Sequence, residues 1–180
     1  MSSLKTMLLV VFLGVFSLNA TGQTTKDKKI MLDAEDAKQT LIAEDPGIEE
    51  MFNNSVGYAI FPNVGKGGFV VGGASGNGVV YENGKAIGSA RLTKMNVGLQ
   101  AGGQALIQVI FFETANELEE FKKGKFKFDA GASAVALEQG ESYQPSYSEG
   151  VAVVTHSKGG LMADVSVGGQ KFQYTPFEEQ

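Results

Sequence analysis

Residues 65–78 read GKGGFVVGGASGNG, seven glycines and one lysine in fourteen positions. Two folds compete for such a stretch. A phosphate-binding loop would set it between a strand and a helix of a nucleotide-binding domain. A bent, closely packed sheet would use the same glycines where side chains block backbone approach. The spacing decides against the loop. G-x-x-x-x-G-K-[ST] fails at Gly84-Lys85, which is followed by Ala86 and has Val79 where the first glycine belongs. G-x-G-x-x-G fails from Gly65, because the sixth residue is Val70. No helical pattern follows either. The stretch reads instead as a short apolar strand core, Phe69-Val70-Val71, bracketed by Gly67-Gly68 and Gly72-Gly73, with Lys66 as its one charge.

Working outward, strand patterns dominate from residue 56 onward. Val56–Phe61 is β-branched and aromatic, and Pro62 ends it. Phe69–Ala74, Gly78–Glu82, Lys85–Thr93 and Val97–Phe112 follow, then Lys125–Phe128, Ala132–Leu137, Val151–His156, Leu161–Gly168 and a short edge strand at Lys171–Tyr174. Asn83-Gly84 between two such runs demands a two-residue type I′ hairpin, since both positions accept positive φ. Asn77-Gly78 is a second turn candidate. Before the strands, Ile30, Ala34, Ala37 and Leu41 fall at helical spacing and predict a helix over Ile30–Ala43. Asp45 then caps a second short helix with Pro46 at its first position, burying Ile48, Met51 and Phe52. A third helix is inserted between strands at Thr114–Gly124. There Thr114 and Glu117 form a capping box, Lys122 and Lys123 occupy the last turn, and Gly124 is the natural terminator. The expected fold is α+β: N-terminal helices followed by a strongly curved, mostly antiparallel, glycine-rich sheet with one inserted helix. Barrel-like closure is one outcome of that curvature. Gly78 and Gly84 join Gly67, Gly68, Gly72 and Gly73 as structural glycines.

The bulk numbers agree with one domain. The chain has 180 residues, 43% hydrophobic and 19% charged, with 24 glycines and no cysteine. The absence of cysteine excludes disulfides, thiol nucleophiles and thiolate metal sites. Met7–Leu18 is a twelve-residue apolar run behind Lys5, and Ala20-Thr21-Gly22 has a small-x-small form. That reads as a cleavable signal peptide over residues 1–22 and an exported, periplasmic or envelope-associated protein with no lipoprotein cysteine. Residues 23–29 read as a flexible lead-in, 30–176 as the domain and 177–180 as a tail. The formal charge is −5, and loss of the leader removes only Lys5, so the remainder is more acidic still. That balance excludes a general nucleic-acid binder.

Catalytic constellations are missing from the pattern. His156 is the only histidine, beside Ser157 and Lys158, and no spacing ties it to Asp164 as a triad orienter. No metal-loop spacing and no cofactor motif occurs, so no enzyme is expected. The basic stretches carry more. Lys122, Lys123, Lys125 and Lys127 lie within six residues and interleave with Phe126 and Phe128, which an extended chain would turn to the opposite face. Lys26, Lys28 and Lys29 precede Ile30-Met31-Leu32 and could seat an amphipathic helix on a membrane. With Lys66, these seven form the candidate lipid-binding set. The alternative for the first group is a helix C-terminus followed by a solvated strand face, and for the second a disordered tether leading into a core helix.

Several blocks, in order, resemble the SYLF domain family, also named after a yeast actin-binding domain. They are Gly57–Pro62, Lys66–Phe69, Gly72-Gly73, Gly78–Val80, Gly98–Gln104, Phe121 with Lys125–Lys127, Asp129–Ala132, and Gly160-Leu161 after Tyr147-Ser148. Together they span roughly Leu32–Tyr174. The resemblance implies a non-catalytic module that meets phospholipid or a membrane surface, or else an envelope protein partner. It brings no catalytic residues. Its lipid-binding part would be the N-terminal helical region.

Overall fold

In a computed structural model, the residues described are 23–65, 73–95, 105–128, 134–137, 146–158 and 167–177. The expected leader, the strand core Phe69-Val70-Val71, Gly67, Gly68, Gly72 and the expected strand Leu161–Gly168 up to residue 166 lie outside them.

The first helix, α1, spans Gln23–Glu44. Residues 23–29 are therefore helical rather than a flexible lead-in. Their polarity was the misleading signal: no glycine or proline breaks the segment, and Lys29 pairs with Asp33 one turn on, at 3.2 Å. Ala34, Ala37 and Leu41 form the buried stripe. Asp45 ends α1 but does not cap α2 (Ile48–Asn54) as expected. Its Oδ1 accepts from the Gly47 N–H at 2.9 Å in a local turn, and the position before Ile48 has no side-chain cap. Ile48, Met51 and Phe52 are buried as the pattern required.

Among the described residues, seven strands form one sheet in the order β5-β6-β4-β1-β2-β3-β7. They are β1 Gly57–Val64, β2 Gly73–Glu82, β3 Lys85–Met95, β4 Leu106–Phe112, β5 Val135–Ala136, β6 Val151–Ser157 and β7 Gln170–Pro176. All pairs are antiparallel except β5 with β6. Asn83 (φ 49°) and Gly84 (φ 75°) make the β2–β3 hairpin, with Glu82 opposite Lys85. Asn77-Gly78 is not a turn. It lies mid-strand in β2, Asn77 opposite Arg91 and Gly78 opposite Ala90. Glycine is there for space. A Cβ on Gly78 would sit 2.6 Å from Cδ1 of Phe61 and closer still to the Ile60 carbonyl.

Among the described residues β5 and β7 do not pair, so the sheet stays open rather than closing into a barrel. It is nonetheless strongly curved. Four strand steps separate β4 from β7, which in a flat sheet would be about 19 Å. Yet Gln108 of β4 and Gln170 of β7 exchange two side-chain amide hydrogen bonds, at 2.8 and 3.0 Å. Both are buried, and reciprocal pairing satisfies groups that would otherwise be costly to bury.

The sheet is covered on both faces. On one, α1 and α2 pack over Tyr58, Ile60, Val79, Ile107, Val109, Phe111, Ala152 and Val154. On the other, helix α3 (Ala115–Lys122) and the chain after it pack over Ala59, Phe61, Val80, Leu92, Ile110, Phe112 and Phe172. Thr114 accepts from the Asn116 N–H at 3.2 Å and donates its hydroxyl to the Glu117 carboxylate. At the other end Gly124 adopts φ 67°. Its N–H reaches Phe121 O at 2.9 Å and the Lys125 N–H reaches Glu120 O at 3.0 Å, which together form a Schellman terminus.

Candidate functional site

The basic residues do not form one patch. Lys26, Lys28 and Lys29 sit on α1, over one face of the sheet, and on the other Lys122 ends α3 and Lys123, Lys125 and Lys127 follow it. Lys66 lies outside the described residues. Lys122 is half-buried and bonded to Glu119 at 2.8 Å and Glu82 at 3.0 Å, so it ties α3 to the end of β2. Burial opposes its charge, but the two carboxylates outweigh burial and hold its pKa above the ordinary lysine value. Lys123 pairs with Glu120 at 3.5 Å. Lys125 and Lys127 are exposed and have no ion pair among the described residues.

The expected alternation at Lys125–Phe128 holds, although the expected strand does not. Among the described residues this segment pairs with no strand, and after the Schellman turn its phenylalanines enter the aromatic core. Phe126 lies 6.2 Å from Phe121 and 5.0 Å from Phe128, and both Phe126 and Phe128 contact Phe172. The two phenylalanines anchor inward, and Lys125 and Lys127, which alternate with them, are exposed.

A second feature is a cleft of about 400 Å³ where α1 crosses the ends of β1, β4 and β6. Asp33, Asp36, Ala37 and Thr40 line it from α1, at the helical spacing i, i+3, i+4, i+7. Asn63, Ile107, His156 and Lys158 line the opposite side. Lys158 donates to Asn63 Oδ1 at 2.6 Å. His156 is set beside Ile107 by the β4–β6 register, and its Nδ1 is enclosed without a hydrogen-bond partner among the described residues. Asp164, weighed above as a triad orienter for His156, lies outside those residues. The sequence held a signal for this cleft in the polar stripe of α1 and the His156-x-Lys158 alternation. What it could not show was that the two meet.

Residues 93–176, just under half of the chain, match the family model described as "Ysc84: Las17-binding protein actin regulator". Those residues belong to the SYLF (Ysc84) family. The SYLF match takes in β4, α3, β5, β6 and β7, and so both Lys125 and Lys127. It contains the strand side of the cleft at Ile107, His156 and Lys158, whereas Asp33, Asp36, Thr40 and Asn63 precede it. The SYLF family is in general one of non-enzymatic binding domains. No curated protein matches the chain. Among the described residues there is no metal-ligand cluster, and no helix is long and apolar enough to cross a membrane.

Proposed function

We propose that this chain is an exported, non-catalytic module of a bacterial envelope that meets anionic phospholipid surfaces, and that Lys125 and Lys127 make the contact. The observation that carries the reading is their placement inside the SYLF match. Both ammonium groups are solvent-facing, outside any ion pair among the described residues, and fixed by Phe126 and Phe128 in the core. Fixing the backbone beforehand reduces the entropy lost on binding. Each basic residue near an anionic surface contributes about 1 kcal/mol. Two therefore give about 2 kcal/mol, roughly a thirtyfold gain in partition. That is a weak, salt-sensitive attachment, suited to a module that touches a surface rather than anchors in it. The lysines of α1 fit less well, since Asp27, Asp33, Glu35 and Asp36 share their helix and Lys29 is already paired. The leader-like residues 1–22 support export.

The family's description as an actin regulator favours a second reading, in which the same surface holds an envelope protein. Co-sedimentation of the full chain with phosphatidylglycerol-containing and with pure phosphatidylcholine vesicles separates the two. The lipid reading expects preferential pelleting with the anionic vesicles, lost in high salt. Equal or absent pelleting with both, beside a partner protein retained through detergent, would establish the second reading instead. N-terminal sequencing of the protein recovered from fractionated cells checks export, with a new terminus near Gln23 expected.

A further inference from the structure

The cleft between α1 and the strand ends has opposed chemistry on its two sides. The geometry points to a binding site for a small zwitterion, a primary ammonium joined to a phosphate. The ammonium meets the carboxylates of Asp33 and Asp36, and the phosphate meets Lys158 and Asn63. This site is separate from the Lys125–Lys127 surface, on the other face of the sheet, and does not rest on the lipid-surface reading.

The helix side is acidic. Asp33 and Asp36 lie one turn apart, and only Asp33 has an ion partner among the described residues, Lys29. Thr40, one turn further on, has its hydroxyl committed to the Asp36 carbonyl at 2.8 Å. The strand side is rich in donors. Because Asn63 Oδ1 accepts from Lys158, the NH₂ of the same amide is left as a donor. The Lys158 ammonium has further protons to give. An ammonium and an amide NH₂ together offer several N–H bonds, which suit the terminal oxygens of a phosphate. The floor is apolar, formed by Ala37 and Ile107, both buried, so it leaves room for a short methylene link. About 400 Å³ is the lower end of small-molecule sites, which fits a head-group-sized ligand rather than a nucleotide.

The ligand could arrive free or as the head group of a lipid, and the experiment separates the two. Isothermal titration of the full chain with O-phosphoethanolamine, ethanolamine and inorganic phosphate is compared with pelleting on phosphatidylethanolamine and phosphatidylcholine vesicles. The proposal expects the zwitterion to bind at least tenfold more tightly than either half alone, or the phosphatidylethanolamine vesicles to be preferred. Asp36→Asn and Lys158→Gln should each weaken that binding about tenfold, while Lys125→Gln/Lys127→Gln leaves it unchanged. Both substitutions are at exposed positions, and circular dichroism confirms that the variants fold. The proposal is overturned if phosphoethanolamine binds no better than its halves and phosphatidylethanolamine no better than phosphatidylcholine. It is overturned equally if folded Asp36→Asn and Lys158→Gln bind like the parent.

Discussion

The two faces of this sheet are buried by different means. On one face α1 itself brings Leu41 and two small residues, Ala34 and Ala37, that let the helix lie close and carry its polar stripe to the strand ends. The rings there, Phe52, Tyr58, Tyr81 and Phe111, come from α2 and the strands. Under α3 the space is filled by phenylalanines drawn from distant segments. Phe61, Phe112, Phe121, Phe126, Phe128 and Phe172 form a chain of ring contacts with centroids 5.0–6.2 Å apart. The contrast suggests a division of labour. The aromatic face holds the curved sheet together and fixes Lys125 and Lys127, while the helical face offers a cleft.

The largest effect is expected on the aromatic side. Phe121 is fully buried and meets Phe112, Phe126 and Phe172. Phe121→Ala should cost about 3–5 kcal/mol, read from urea midpoints. Ala37→Leu, which overpacks the helical face, should cost only about 1–3 kcal/mol. If the two substitutions cost the same, the division of labour fails. Next comes the seam between β4 and β7. Gln170→Leu alone leaves the buried Gln108 amide unpaired and should cost about 1–3 kcal/mol. Gln108→Leu/Gln170→Leu should recover most of that loss, and a double variant no better than the single would show that the pair does not close the curve.

A smaller effect is expected at the N-terminus of α3. Thr114→Ala should cost about 1 kcal/mol in thermal unfolding. The Thr114 hydroxyl, then the backbone, holds the Glu117 carboxyl below its ordinary pKa. A lowered folded-state value gives stability that is present above the ordinary carboxylate range and lost as pH falls through the lowered value. Glu117 is largely solvated, so that contribution is slight. Thr114→Ala should flatten this part of the acid limb. The smallest effect belongs to the helical face. Lys38 Nζ sits 4.9 Å from the Phe52 ring centroid and 5.7 Å from that of Tyr58. Lys38→Met should cost about 0.5–1 kcal/mol by chemical denaturation, and a cost equal to that of Phe121→Ala would reverse the comparison.

Much of this was legible from local chemistry. Asn83-Gly84, Thr114 and Gly124 each have a conformation that their residue types nearly dictate, and each sits where the sequence put it. The inward turn of Phe126 and Phe128 was also readable, as an alternation. Asn77-Gly78 misled because the local signal for a turn is the same as the signal for close packing, and only the approach of Phe61 distinguishes them. The Gln108–Gln170 pair and the cleft were not legible, since both join elements far apart in the chain. Of the two partners of Lys122, Glu119 lies one turn before it and was legible, whereas Glu82 comes to it from forty residues away and was not.

The central claim is that a membrane reads the face that carries α3, through two lysines. The most direct test is partition of the full chain onto phosphatidylglycerol-containing vesicles, comparing Lys125→Gln/Lys127→Gln with Lys26→Gln/Lys28→Gln. The account predicts a roughly thirtyfold loss for the first pair and little change for the second. Equal losses, or a larger loss on α1, would contradict it.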